Sequence, residues 1–76
     1  MTISNEKIHD KISDRVRDRR VKVGISQKEL AEAVGLSPGA IINIEHRRHR
    51  VTLDRIPKFA KALRMSPQQF LKGIIF

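Results

Sequence analysis

A chain of 76 residues has room for one small core, so a single domain spanning residues 1–76 is expected and a second is excluded. It contains no cysteine, which rules out disulfides and thiolate metal sites, leaves aliphatic packing to supply the core, and fits a reducing cytoplasm. Sixteen Lys and Arg against eight Asp and Glu give a net charge of +8, which favours nucleic acid or an anionic membrane surface as partner. No apolar run approaches the roughly 18–20 residues of a membrane span, and the opening MTISNEKIHD lacks a signal peptide's apolar segment.

Apolar residues recur at three- and four-residue spacing throughout and nowhere alternate as a strand would, so the chain reads as all-α with five helices. The first is expected from about Glu6 to Val23, with Ile8, Ile12 and Val16 stacked on one face and Gly24 as a left-handed cap. Ser26 caps the second, Glu29 completes a capping box, Leu30, Ala31 and Val34 face inward, and Gly35 ends it. Ser37 and Pro38 start the third, which points Ile41 and Ile44 to the core. For the fourth, Pro57 has to lie near the start, and Asp54 is preferred to Thr52 as its cap. Ile56, Phe59, Ala60 and Leu63 form its buried stripe, and Ser66, Pro67 and Gln69 open a fifth helix carrying Phe70 and Leu71.

The stretch SQKELAEAVGLSPGAIINIEH holds two helices of about eight residues joined by Gly35-Leu36-Ser37. So short a turn forces a steep crossing, which describes a helix-turn-helix unit. Ala31 suits the point of close approach, Gly35 suits a positive φ, and Leu30, Val34, Leu36, Ile41 and Ile44 close the wedge. The charge is uneven. Residues 25–45 are net −2, whereas residues 46–64, opening with HRRHR, carry seven basic residues against Asp54.

From RVRDRRVKVGISQKELAEAVGLS through the third helix to PKFAKALRMSPQQFL, the sequence resembles the DNA-binding domain of the lambdoid phage repressor and Cro family, which also contains restriction-modification controller proteins and many antitoxins. The resemblance covers nearly the whole chain and implies a compact five-helix repressor-like domain. It further implies that Gln27, beside Lys28 at the start of the second helix, binds a DNA phosphate, and that Arg20 pairs with Glu45. The residues point the same way for that pair, since Glu45 follows a core-facing Ile44 and Arg20 lies four after Val16. Two solvated surface charges are the alternative.

On DNA the third helix is expected in the major groove, where Ser37, Pro38, Gly39, Ile42, Asn43 and His46 face the bases. The family's best-known readers place long amide side chains where this chain has Pro38 and Gly39, so direct readout should be sparse. Asn43 suits a bidentate contact with adenine, and Ile42 suits either a thymine methyl or simple burial. Arg47, Arg48 and Arg50 are expected on phosphates, with entry of one into a narrow minor groove as an alternative. His46 and His49 lack a third ligand, so no metal is expected. No nucleophile with a base and no phosphate-cradling glycine loop is present, so the chain is read as a binder that needs no cofactor and no small-molecule ligand.

The expected partners are double-stranded DNA and a second copy of the chain, and no membrane. An antitoxin that binds a toxin and represses its own operon is the alternative. The apolar end Ile74, Ile75 and Phe76 has two outlets. It is expected to join Phe70 in a twofold dimer contact, with folding back over the first helix near Ile8 and Ile12 as the alternative.

Overall fold

The computed structural model describes residues 5–75, and these form five α-helices with no strand among them. They are α1 (Asn5–Val23), α2 (Gln27–Val34), α3 (Pro38–Glu45), α4 (Ile56–Ala62) and α5 (Pro67–Leu71). A short 3-10 turn, Leu53–Arg55, leads into α4.

Local chemistry starts α2, α3 and α5 as the sequence suggests, and α4 differently. The Glu29 N–H donates to Ser26 Oγ and the Ser26 N–H donates to Glu29 Oε1, both at 3.0 Å, and Ser66 with Gln69 repeats this capping box on α5. Ser37 Oγ accepts from the Ala40 N–H at 3.2 Å. The exception is Asp54, which does not cap α4. Thr52 precedes the 3-10 turn, α4 begins at Ile56, and Pro57 falls in its first turn, where a missing N–H breaks no helical bond. Asp54 instead accepts a hydrogen bond from Thr52, which holds its carboxyl below the usual range against a small opposing cost of burial.

Four helices end with the same device, an N–H bonding back five residues across a residue with positive φ. The bonds run from Ile25 to Arg20 O, Leu36 to Ala31 O, Arg48 to Asn43 O and Met65 to Ala60 O. Gly24 (84°) and Gly35 (72°) occupy the first two positive-φ positions, while Arg47 (62°) and Arg64 (59°) occupy the others. A Cβ on Gly35 would meet nothing nearer than an Arg55 nitrogen at 3.8 Å, so the backbone angle, not crowding, selects glycine there.

The core is a single cluster in which Val16, Leu30, Val34, Ile41, Phe59, Leu63 and Phe70 are fully buried and Ile74 nearly so. Leu36, expected in the wedge between α2 and α3, is only partly buried against it. Burial of Phe70 and Ile74 within one chain corrects their expected place in a dimer contact, because side chains already removed from water have no apolar area left for a partner. Ile75 remains half exposed, and Phe76 lies outside the described residues.

Three arginines bond to the carbonyl groups that helix ends leave unpaired. Arg15 Nη1 donates to the carbonyls of Gln69, Phe70 and Lys72 at 3.3, 2.9 and 2.8 Å, and Arg19 Nε donates to Leu63 O at 2.9 Å. Arg55 Nη1 donates to Val34 O at 2.8 Å. A cation at a helix C-terminus also meets the negative end of the helix dipole, so Arg15, Arg19 and Arg55 fasten α5, α4 and α2 respectively. Much of the positive charge in α1 therefore serves the fold.

Candidate nucleic-acid interface

The helix-turn-helix unit is oriented by a charged cluster beneath it. Arg20 Nε donates to Glu45 Oε2 at 2.6 Å and Nη2 donates to Oε1 at 3.0 Å, a bidentate pair whose side chains are only 15% and 2% exposed. The alternative of two solvated charges does not hold. Gln27 Nε2 adds a third donor to Glu45 at 3.2 Å, and Arg20 Nη1 donates to Ile25 O at 3.0 Å. One carboxylate thus joins the last turn of α1, the first residue of α2 and the last residue of α3, which sets the angle at which α3 is presented.

With Ile41, Ile44 and Glu45 buried, α3 turns its other residues outward. Ser37, Pro38, Gly39 and His46 are exposed, Asn43 is half-buried, and Ile42 is 38% exposed, so simple burial does not account for that isoleucine. Six residues proposed to read bases therefore lie along one edge. Pro38 and Gly39 have no polar side chain, so among the first three only Ser37, whose hydroxyl accepts from the Ala40 N–H and keeps its own O–H, can hydrogen-bond a base. The Asn43 main-chain carbonyl accepts from the Arg48 and His49 N–H groups at 2.8 and 3.3 Å, which fixes the loop start against the reading helix and leaves the side-chain amide uncommitted.

All five residues of the HRRHR loop are exposed, yet its arginines are not equivalent. Arg47 curls back to α1, where Nε and Nη2 grip the two Asp14 oxygens at 3.0 and 2.6 Å and Nη1 lies 3.9 Å from Asp10. The guanidinium hydrogen bonds hold the Asp14 carboxyl below its ordinary range, and the carboxylate in turn raises the Arg47 pKa. Arg47 and Asp10 also line a polar cavity of about 250 Å3 together with His9, Ser13 and His49. The expectation that Arg47 faces phosphate beside its neighbours is therefore corrected, because Asp14 on α1 already takes the Nε and Nη2 edge of its guanidinium. Arg48 and Arg50 make no ion pair among the described residues and carry the outward charge of the loop.

Gln27, expected on phosphate, is half-buried and shared with Glu45, whereas Lys28 beside it is exposed at the start of α2. Sequence reasoning missed the Asp10, Asp14 and Arg47 cluster and the arginine caps. The only available signal for the caps was the four-residue spacing of Arg15 and Arg19.

A helix-turn-helix family model matches residues 16–70 of the chain. Among solved structures, the restriction-modification controller protein C.AhdI from Aeromonas hydrophila is similar at 33% identity over 79% of this chain and 91% of that one, with a TM-score of 0.72. The P22 c2 repressor in complex with synthetic operator 9T is similar at 35% identity over 82% of this chain and 94% of that one, with a TM-score of 0.71. The clp gene regulator ClgR from Corynebacterium glutamicum is similar at 28% identity over 84% and 68%, with a TM-score of 0.78. No curated protein matches the chain significantly.

Proposed function

Because the chain belongs to the helix-turn-helix family of Cro/C1-type DNA-binding transcription regulators, we propose that it binds a palindromic operator as a homodimer and represses transcription from it. The observation that carries this reading is the chemistry of the α3 edge. Its N-terminal half offers Pro38 and Gly39 in place of long polar side chains, which leaves Asn43, Ile42 and His46 to discriminate bases. Each good base contact contributes about 1–3 kcal/mol, so one copy discriminates weakly and a symmetric pair doubles the recognition.

In this reading Asn43 pairs with adenine and Ile42 meets a thymine methyl. Lys28 and the first N–H groups of α2 hold one phosphate, since a helix N-terminus attracts anions. Arg48 and Arg50 hold others. The P22 c2 repressor, similar over most of the chain, is in complex with a synthetic operator in its own structure, which supports operator DNA as the partner here. The sparse edge also makes operator shape important, so central base pairs that touch nothing affect affinity through deformability.

Stoichiometry tests the dimer directly. Titrating the chain into a duplex carrying a selected site, followed by sedimentation, should give two chains per duplex bound in one cooperative step. Saturation at one chain per specific site contradicts the homodimer.

A further inference from the structure

A groove of about 460 Å3 opens between the first half of α1, the segment following the basic loop, and the end of the chain. Its walls are mainly apolar, from Ile8, Ile12, Val51, Ile56, Leu71 and Ile75. At its rim stands Leu53, 84% exposed, with Ile75 itself half exposed. A large aliphatic side chain held in water beside an apolar groove that it does not fill is both a knob and a hole on one surface. That is the arrangement a twofold contact requires, since each copy must present the same patch to the other.

We propose that this groove is the contact between two copies of the chain, each placing Leu53 into the groove of the other. The proposal rests on the homodimer reading and names its surface, replacing the buried Phe70 and Ile74. The occupant is identified by charge as well as shape. Arg50 lines the groove and Asp54 directly follows Leu53, so exchange of the two leucines brings the Asp54 of each copy to the Arg50 of the other. The hydrogen bond from Thr52 lowers the pKa of that carboxyl and so favours its charged form. Nucleic acid would find little to bind along such apolar walls.

Sedimentation of the full chain without DNA tests this, using Leu53→Glu and Ile75→Ser. Both residues are exposed, so the variants should keep the helical circular dichroism and melting of the parent. Leu53→Glu should weaken the dimer by about a hundredfold or more, and Ile75→Ser by about tenfold, as removal of buried apolar area on both sides implies. Asp54→Arg should weaken it alone and recover when combined with Arg50→Asp. A parent that dimerises while Leu53→Glu dimerises equally well overturns this surface but leaves the homodimer standing. A parent that remains one chain both in solution and on its operator overturns the homodimer reading itself.

Discussion

Glu45→Ala should be the most damaging single change outside the apolar core. The substitution removes a carboxylate that accepts from Arg20 at 2.6 and 3.0 Å and from Gln27 at 3.2 Å. It leaves the 15%-exposed Arg20 guanidinium with only the Ile25 carbonyl as a partner. Stranding a charge at such a site costs about 3–5 kcal/mol. At roughly 0.05–0.15 kcal/mol per residue, a chain of this length has a total stability of the same order, about 4–11 kcal/mol. A melting-point loss of more than about 10 °C is expected, since each kcal/mol shifts a domain of this size by about 4–8 °C. Urea unfolding of the parent, Glu45→Ala, Arg20→Ala and the double variant closes the cycle. The double variant should lose much less than the sum of the singles, because it strands no charge. A Glu45→Ala chain that loses under about 1 kcal/mol with an unchanged urea slope would refute the reasoning, since the pair would then behave like a surface salt bridge.

Arg64→Gly should stabilise the chain by roughly 0.5–1 kcal/mol, because relief of a left-handed non-glycine residue outweighs the added freedom of the unfolded chain; thermal melting reads the sign. Asp14→Asn should cost about 0.2–1 kcal/mol at neutral pH, the scale of a half-exposed ion pair. Because the folded Asp14 pKa lies below its unfolded value, that difference should be fully present above about pH 4 and vanish as the pH falls through the folded pKa; urea melts of both proteins from pH 7 to pH 2 show it. Arg48→Ala should flatten the slope of log affinity against log salt by about one unit with base preference intact, and Arg50→Ala by less, because Asp54 of the other copy offsets it in the proposed dimer. Arg47→Ala should also change the slope by less, because Asp14 already neutralises it; a change equal to that of Arg48→Ala would mean that DNA pulls Arg47 from its clasp. Asn43→Ala should relax preference at one base pair per half-site, by about 1–3 kcal/mol, and an unchanged selected motif removes Asn43 from the readers.

What the sequence makes legible is what neighbouring residues decide. Ser26 with Glu29, Ser37 with Pro38, and Gly35 act within a few residues of themselves, and each is found in its expected cap or turn. The inward faces of α2 and α4 follow from spacing alone. The fourth helix start was misread because two weak capping options competed, and a 3-10 turn displaced both from α4 itself. The remaining misreadings are long-range. Arg15 bonds to carbonyls 54 to 57 residues away, and Arg47 reaches an aspartate 33 residues back. No spacing rule distinguishes such an arginine from Arg48, which sits in the same run and stays outside. The positive φ of Arg47 and Arg64 is hidden for a related reason, since the helix-ending bonds supply the geometry where glycine would have announced it. Of the two outlets open to the chain end, Ile74 takes the inward one, and only packing against a formed core selects it.

Selection of bound duplexes from a random DNA library tests the central claim most directly, because one motif reports the reading helix, the symmetry and the spacing together. The account predicts an inverted repeat with half-sites centred about one helical turn apart, roughly 34 Å, few strongly required bases in each half, and weaker preferences at the central pairs. An unpaired, asymmetric motif, or recovery of no motif at all from a folded chain, would contradict it.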